Sequence, residues 1–188
     1  MKTIGVLALQ GSYREHMNSL QRLNDVLPVE VKSQKDIERI DSLIIPGGES
    51  TTIGKLLRDF NLSGCLVDRI HSGMPVWGTC AGMILLARKI VEEDSIHLGV
   101  MDIEVRRNAY GSQLDSFSCS AVMDKVSEYP IELVFIRAPW IERAGENVEV
   151  LAVHECKIIA ARQNNMLATS FHPELTDDLT FHKYFAGF

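Results

Sequence analysis

The stretch Pro75-Val-Trp-Gly-Thr-Cys80-Ala-Gly-Met-Ile-Leu-Leu-Ala-Arg88 decides the fold of this chain. A short apolar run ending at Trp77 predicts a strand, and the apolar residues from Met83 to Ala87 predict a helix. Between them, Gly78-x-Cys80-x-Gly82 predicts a sharp turn that presents a cysteine. This is the thiol version of the nucleophile elbow, in which the reactive residue sits on a strained strand-to-helix turn.

A helix that begins just after Cys80 directs free backbone N–H groups and the positive end of its dipole at the sulfur. This environment favours the thiolate, which is the nucleophilic form of cysteine. The N–H of Ala81 would then be one donor of an oxyanion hole. The same residues also fit a second interpretation, a buried cysteine between glycines at an ordinary strand-to-helix turn.

The first half of the chain alternates between strand and helix patterns. Apolar strands are predicted at 3–9, 29–32 and 43–45, and helical spacing follows at 12–23, 36–40, 53–60 and 66–70. Ser12 and Glu15 predict a capping box at the first helix. The alternation predicts an α/β fold of three layers: an open, mostly parallel, flavodoxin-like sheet with helices on both faces. Ligands bind at the carboxyl ends of the strands in such sheets.

The second half of the chain is mostly strand-like, and a closing helix is predicted at 177–185. The predicted strands are 100–105, 116–123, 131–136, 148–154, 157–162 and 166–170. Glu155-Cys156 and Asn164-Asn165 predict hairpin turns. We therefore expect added antiparallel strands, which either extend the central sheet or form a small layer beside it.

Composition narrows the class of protein. The 188 residues, 46% of them hydrophobic, predict a single domain over residues 1–188. The net charge is −6 and the basic residues form no runs, so neither a nucleic-acid surface nor a membrane surface is expected. No apolar segment reaches the roughly 18 residues of a membrane span. The four cysteines are widely spaced with no Cys-x-x-Cys pair, which argues against a zinc site or a disulfide scaffold and favours the reducing cytoplasm.

A nucleophilic thiol needs a base and a group that orients the base. Pro173 biases His172 toward an extended conformation, in which Glu174 would lie on the same side as the imidazole and hold its tautomer. This spacing predicts a Cys80-His172-Glu174 triad, although a polar turn before a helix would have the same sequence. The five other histidines, His16 and His182 among them, are expected to be solvated or structural.

Gly47 and Gly48 follow a predicted strand and can turn backbone N–H groups toward a ligand, as the second half of an oxyanion hole or simply as a turn. An amino-acid substrate would also need a cation for its α-carboxylate and an acceptor for its α-ammonium. Arg107 and Arg137 follow strand-like segments and Glu49 adjoins the glycines. Arginine suits a carboxylate because its fork binds both oxygens. Each of these residues also fits an ordinary surface ion.

Six blocks of sequence, in order, resemble one family. The blocks are Gly5-Val-Leu-Ala-Leu-Gln10-Gly with Arg14-Glu-His16, Leu43-Ile-Ile-Pro-Gly-Gly-Glu-Ser-Thr-Thr52, Trp77-Gly-Thr-Cys-Ala-Gly82, Arg107-Asn-Ala-Tyr-Gly111, Val134-Phe-Ile-Arg-Ala-Pro139 and Ser170-Phe-His-Pro-Glu-Leu-Thr176. They look like the glutaminase subunit of pyridoxal 5′-phosphate synthase, which belongs to the triad (class I) glutamine amidotransferases. Because the blocks span almost the whole chain, the match is more specific than any single motif.

The resemblance implies hydrolysis of L-glutamine to L-glutamate and ammonia through a thioester, with no metal or organic cofactor. Ammonia would pass to a barrel-shaped synthase subunit, within a large hetero-oligomer that builds pyridoxal 5′-phosphate for vitamin B6 biosynthesis. By position, the resemblance assigns catalysis to Cys80, His172 and Glu174, and glutamine contacts to Gly47, Gly48, Glu49, Arg107, Ile136 and Arg137. It places Gln10 near the oxyanion hole and the partner, and we expect this hole to be incomplete until the partner docks.

Two other functions stay open. One is a glutaminase that serves another synthase, such as imidazole-glycerol-phosphate synthase, and the other is a non-enzymatic redox or binding module with an elbow cysteine. The paired His172 and Glu174 argue against the second, because a sensor needs only the thiol.

Two departures from the family pattern concern partner contact or helix length: Ser112 stands where arginine is common, and relatives often continue beyond Phe188.

Overall fold

The computed structural model describes residues 1–107 and 116–188, and the Ser112 position lies outside these ranges. The strands are β1 (Lys2–Leu7), β2 (Val26–Val31), β3 (Ser42–Ile45), β4 (Val76–Thr79), β5 (Ala87–Ile90), β6 (Met101–Arg106), β7 (Ser116–Met123), β8 (Ser127–Ile136), β9 (Trp140–Ala144), β10 (Glu149–His154), β11 (Lys157–Gln163) and β12 (Met166–Thr169). The helices are α1 (Tyr13–Gln21), α2 (Gln34–Glu38), α3 (Ser50–Asp59), α4 (Ser63–His71), α5 (Ala81–Leu86) and α6 (Thr180–Ala186), with a 3₁₀ turn at Pro173–Leu175.

Ten of these strands form one sheet in the order β2-β1-β3-β4-β12-β11-β9-β6-β5, with β10 paired to β11. The five strands from β2 to β12 are parallel to one another, whereas β11 and β9 run antiparallel to their neighbours. The strands β7 and β8 form a separate antiparallel ribbon. The predicted α/β sheet is therefore confirmed, and both expected arrangements of the added antiparallel strands occur.

The two faces of the sheet carry two hydrophobic cores. Adjacent residues of a strand point to opposite faces, so Val6 packs in one core and Leu7 in the other. The core with Val6 includes Phe181 and Phe185 of α6, together with Leu20 of α1. The opposite core includes the apolar residues of α2, α3, α4 and α5. Helices consequently cover both faces, as the alternating pattern predicted.

Both predicted hairpin turns are confirmed, since β10 and β11 meet at Glu155-Cys156 and β11 and β12 at Asn164-Asn165. The backbone φ is 47° at Glu155, 62° at Cys156 and 53° at Asn164, which are the positive values that tight hairpins require. Two strands were not predicted, β5 and β9. Ala87 was expected to continue the helix that contains Met83, but its extended backbone ends α5 and begins β5.

The helices α2, α3 and α4 begin two or three residues earlier than predicted, and the last and first helices differ in other ways. The last helix begins at Thr180 rather than at residue 177. Ser12 does precede α1, but the capping box is wrong, because its side chain makes no hydrogen bond to the helix start. Its hydroxyl instead donates to Glu174 at 2.6 Å, so a carboxylate distant in sequence displaced the local cap.

Within residues 1–107 and 116–188, no helix combines the length and the apolar character that crossing a membrane requires.

Candidate active site

A cavity of about 360 Å³ opens where the carboxyl ends of β1, β3 and β4 meet the ends of β6 and β8. This is a volume suited to a small ligand. The residues that line it are Gln10, Gly48, Glu49, Ser50, Cys80, Ala81, Ile84, Arg107, Ile136, Arg137, Pro139 and His172. Nine of these twelve positions were predicted from the sequence; the exceptions are Ser50, Ile84 and Pro139.

Cys80 occupies the predicted elbow between β4 and α5. Its backbone has φ 48° and ψ −101°, a conformation that non-glycine residues rarely adopt and that marks strain at functional sites. The two flanking glycines are needed because a Cβ on Gly78 would lie 2.4 Å from the carbonyl carbon of Gly82, and one on Gly82 would lie 2.0 Å from the carbonyl oxygen of Ile45. The elbow therefore depends on close backbone packing that larger residues would prevent.

The thiol of Cys80, the imidazole of His172 and the carboxylate of Glu174 form a continuous hydrogen-bonded series. His172 Nδ1 lies 2.8 Å from Glu174 Oε1, which leaves Nε2 for the Cys80 thiol. The backbone N–H of His172 donates to Val134 at 2.8 Å and anchors this segment on β8. The predicted pairing of His172 with Glu174 is present, but a 3₁₀ turn rather than an extended chain brings the two side chains together.

The electrostatics of the series favour an imidazolium between two acidic partners. Burial alone would lower the pKa of His172, but the hydrogen bond with Cys80 and the hydrogen bond and charge of Glu174 raise it to about 10. Burial alone would raise the pKa of Glu174, whereas His16, the hydrogen bonds of His172 and Ser12, and the charge of His172 lower it to about 2. The arrangement can therefore hold a proton on His172 while Cys80 acts as a nucleophile.

Backbone donors also face this region. The first hydrogen bond within α5 runs from the Ile84 N–H to the Cys80 carbonyl, so the Ala81 N–H has no partner inside the helix. Its position next to the thiol is the one predicted for an oxyanion-hole donor. The N–H of Glu49, by contrast, donates to Gln10 Oε1 at 2.9 Å. We call the segment from Gly47 to Glu49 the glycine loop. One backbone donor of this loop, the Glu49 N–H, is thus already hydrogen-bonded to the Gln10 side chain.

Gly47 sets the position of the imidazole. A Cβ at Gly47 would lie 2.3 Å from His172 Cε1, so only glycine leaves room for the ring where it now stands. The Gly47 carbonyl accepts a hydrogen bond of 3.0 Å from the Ser12 N–H, which holds the glycine loop against the loop that follows β1. Gly11, in that second loop, also approaches too closely for a side chain, since its Cβ would meet the Gly47 carbonyl oxygen at 1.9 Å.

The charged residues predicted to bind an amino acid lie at the mouth of the cavity. Arg107 contacts Glu49 at 3.2 Å and Glu93 at 2.9 Å, so its guanidinium already has two carboxylate partners. Arg137 is exposed and has a positive φ of 43°, a second strained backbone at the cavity. The preceding Ile136 is 37% exposed and adds an apolar wall. The pairing of Arg107 with Glu93 was not predicted.

Two histidines that were expected to be solvated or structural lie directly behind the triad. His16 and His182 have no exposed surface, and His16 Nε2 lies 3.4 Å from Glu174 Oε2 and 3.2 Å from Thr79 Oγ1. One sequence signal could have found them: His16 is four residues before Leu20 and His182 three before Phe185, so each lies on the apolar stripe of its helix. No comparable signal pointed to Ser12 as a partner of Glu174.

Among the residues that the structure describes, no group of three or more His, Cys, Asp or Glu side chains is arranged to hold a metal ion. All four cysteines are free thiols.

Comparison with known proteins identifies close relatives. A model of the SNO glutamine amidotransferase family matches residues 6–187. The chain is 57% identical over 186 residues to a protein of Ruminiclostridium cellulolyticum named pyridoxal 5′-phosphate synthase subunit PdxT, covering 99% of this chain and 98% of the relative. It is 56% identical over 182 residues to the protein of that name from Thermoanaerobacter sp. (strain X514), covering 97% and 96%. A crystal structure described as a glutamine amidotransferase superposes with a TM-score of 0.92 at 44% identity, covering 98% of this chain and 97% of the other.

Proposed function

This chain belongs to the SNO glutamine amidotransferase family, and we propose that it is the glutaminase subunit of a pyridoxal 5′-phosphate synthase. As such it hydrolyses L-glutamine to L-glutamate and ammonia and delivers the ammonia to a synthase subunit. Residues 1–188 act as one amidotransferase domain. The names of relatives at 56% and 57% identity over nearly the whole chain favour this synthase over another amidotransferase such as imidazole-glycerol-phosphate synthase.

The observation that carries the proposal is the buried Cys80-His172-Glu174 series that opens onto the cavity. The three residues are 8%, 7% and 5% exposed, so water is largely excluded from the thiol and its base. Exclusion of water strengthens the electrostatic interactions on which charge separation depends. A redox module would need only an accessible thiol, and it would have no use for a base that is held by a buried carboxylate.

The first half of the reaction forms a thioester. The Cys80 sulfur attacks the side-chain carbonyl carbon of glutamine, and the negative charge that develops on the carbonyl oxygen is stabilised by the N–H groups of Ala81 and Gly48. When the carbon–nitrogen bond breaks, His172 transfers its proton to the departing nitrogen, which leaves as ammonia. Glu174 holds the imidazole in position throughout and stabilises its charged form.

The second half of the reaction releases glutamate. The now neutral His172 removes a proton from water, whose oxygen attacks the thioester carbon, and the carbon–sulfur bond breaks to regenerate Cys80. The same imidazole therefore serves first as acid and then as base. No step is assigned to a metal or an organic cofactor.

Arg107 and Arg137 bind the α-carboxylate of glutamine and Glu49 binds its α-ammonium group, while Ile136 packs against the methylene groups. The support for this assignment is that all four residues line the cavity that contains Cys80. Because Arg107 already contacts Glu49 and Glu93, glutamine must replace part of an existing ion-pair network when it binds. The guanidinium remains charged in both states and can exchange one carboxylate for another.

The synthase subunit completes the site when the two chains assemble into a large hetero-oligomer. Gln10 accepts the Glu49 N–H and crowds Gly48, since a Cβ on Gly48 would lie 2.5 Å from Gln10 Oε1. Docking of the partner near Gln10 moves this side chain and frees the glycine loop to bind the oxyanion. The four free cysteines, of which Cys80 is the reactive one, suit the reducing cytoplasm, where we place the complex.

The test is ammonia release from glutamine by Cys80→Ala, measured with and without the cognate synthase subunit. Removal of the nucleophile should lower the rate by about a millionfold, to background. Cys156→Ala is the matched control, because Cys156 is exposed in the β10–β11 turn, and it should be fully active. Ammonia release by Cys80→Ala at near the normal rate would refute the assignment. Release that is unaffected by the synthase subunit would refute the role of the partner.

A further inference from the structure

The triad is backed by two fully buried histidines that the glutaminase mechanism above does not use. His16 on α1 and His182 on α6 contact each other, with 3.0 Å between His16 Nδ1 and His182 Nε2. Trp77 packs against both rings at centroid distances of 5.6 and 5.2 Å, and Phe181 and Phe185 pack on Trp77. Placing two polar rings in an apolar environment is costly unless each makes hydrogen bonds.

Glu174 has one oxygen that lacks a donor of good geometry among the described residues. Its Oε1 accepts hydrogen bonds from Ser12 at 2.6 Å and from His172 at 2.8 Å. Its Oε2 is fully buried and has no hydrogen-bond partner of good geometry. The nearest basic atom is His16 Nε2 at 3.4 Å. The geometry thus places an imidazole nitrogen close to the unsatisfied oxygen of a carboxylate, although off the direction of a well-aligned hydrogen bond.

This contact determines the tautomers of both histidines. A carboxylate oxygen can only accept, so the short contact with Glu174 Oε2 favours a hydrogen on His16 Nε2, whose well-aligned partner is Thr79 Oγ1. His16 Nδ1 is then an acceptor, and His182 Nε2 must donate to it. The remaining nitrogen, His182 Nδ1, carries no hydrogen, and it is the ring nitrogen that has no partner among the described residues. One assignment of hydrogens therefore gives both ring N–H groups an acceptor and leaves His182 Nδ1 as the one nitrogen of the two rings without a partner among the described residues.

Both rings are neutral in this arrangement. Burial lowers the pKa of His16, in spite of the charge of Glu174, and the neighbouring charge of His172 lowers it further. Burial and His16 lower the pKa of His182 to about 3, against the opposing effect of Glu174. The other charged groups near the pair are Glu15 and Arg22. A neutral pair leaves the charge of Glu174 available to His172.

We propose that His16 and His182 are positioning residues of the glutaminase site, which donate in series through His16 Nε2–H to Glu174 Oε2 and so fix the carboxylate against His172. Glu174 is then held by three donors from two segments: Ser12 and His16 at the start of α1, with His16 backed by His182, and the neighbouring His172. A carboxylate held in this way cannot rotate away when the charge on His172 changes during the reaction. The inference rests on the proposed function for its catalytic meaning, but its geometry can be tested without any activity.

The first test records long-range ¹⁵N–¹H spectra of the histidine rings in the free, full-length chain from pH 5.5 to 8, assigned with the variants His16→Gln and His182→Gln. We expect both rings to be neutral Nε2–H tautomers throughout this range. Hydrogen on Nδ1 of His16, or protonation of either ring within the range, would overturn the proposal. Because no turnover is measured, this result does not depend on the proposed function.

The second test compares His16→Phe with His16→Gln in ammonia release by the assembled synthase. Phenylalanine keeps a ring but has no donor, whereas the glutamine amide can donate from near the position of Nε2. We expect His16→Phe to lower kcat by about ten- to a hundredfold with KM within about twofold, as when an outer hydrogen-bond partner of a site is removed, and His16→Gln to recover most of the loss. Equal kcat values in the two variants would show that the ring acts through packing alone and would refute the proposal.

The control variants are His71→Phe and His71→Gln, because His71 is exposed at the end of α4 and both variants should match the wild type. Cys80→Ala defines the rate without the nucleophile. If Cys80→Ala stayed active, the proposed catalytic site would fail while the tautomer result stood. If His16→Phe did not fold, the spectra of the wild-type chain would still decide the question.

Discussion

Replacement of Gly47 by alanine should lower glutaminase activity by moving the base rather than by unfolding the chain. The new Cβ would lie 2.3 Å from His172 Cε1, about 1.1 Å closer than the 3.4 Å at which ordinary contact begins. Gly47 has no positive φ, so alanine fits the backbone. The conflict is therefore with the ring, and because the Gly47 carbonyl is held by Ser12, the ring is what gives way.

The size of the effect follows from the displacement. The ring is held by Glu174 at 2.8 Å on one side and hydrogen-bonds Cys80 on the other, so a shift of about 1 Å disturbs both contacts. Misplacement of a reacting group by about 1 Å can cost roughly a hundredfold in rate. We expect kcat for ammonia release to fall by about that factor in Gly47→Ala, while KM changes little, because Gly47, which the family resemblance placed among the glutamine contacts, is not among the residues that line the cavity.

The assay is steady-state ammonia release in the assembled synthase, and the rate of Cys80 alkylation by iodoacetamide in the free chain provides a measure that needs no partner. Gly64→Ala is the matched control, since no atom lies within 4 Å of its new Cβ, and helix α4 should gain up to about 1 kcal/mol. If Gly47→Ala kept more than half of the wild-type kcat with an unchanged thermal transition, the claim that Gly47 sets the position of His172 would be refuted.

Three further outcomes are expected. Glu174→Gln removes the charge that helps to raise the pKa of His172 to about 10. NMR titration should therefore show a pKa for His172 that is lower by about 1 to 3 units, so that the imidazolium loses its proton at a lower pH. An unchanged pKa of His172 would contradict the pairing. Arg107→Ala should raise the KM for glutamine at least about tenfold with a smaller change in kcat, because the α-carboxylate that Arg107 binds is remote from the reacting bond. An unchanged KM would exclude the contact between Arg107 and the α-carboxylate. Gly82→Ala places a Cβ 2.0 Å from a backbone carbonyl oxygen of β3, which cannot move aside. Denaturant unfolding should therefore show that the free energy of unfolding falls by more than about 4 kcal/mol. A fall of less than about 1 kcal/mol would mean that the elbow is less tightly packed.

Assembly with a synthase subunit connects these local effects to ammonia transfer. The glycine loop contacts His172 on one side and the loop after β1 on the other, through the Ser12 N–H and Gln10 Oε1. A partner that binds near Gln10 would therefore act on the same backbone that Gly47→Ala perturbs. We expect Gly47→Ala to change the rate of Cys80 alkylation even without the partner. This result would distinguish an effect on the position of the His172 ring from an effect on activation by the synthase subunit.

Much of the fold could be predicted because local patterns carry it. Buried parallel strands have continuous apolar runs, and Leu43 to Ile45 needed no other information. The hairpin turn at Asn164 was also recognisable from a residue that tolerates positive φ, and the turn at Glu155 from its place between two strand-like segments. The strands β5 and β9 were missed because they are short, at 4 and 5 residues, and charged residues interrupt their apolar pattern.

For the site, the sequence by itself determined the elbow at Cys80, the glycine loop and the paired His172 and Glu174, since each is a contiguous motif whose chemistry depends on neighbours along the chain. Only the tertiary structure decided what surrounds Glu174. Ser12 and His16 contact it from more than 150 positions away, and His182 reaches His16 through the packing of α6 against the sheet. Hydrogen bonds between such distant residues form only when helices are packed on the sheet, and no local spacing encodes them.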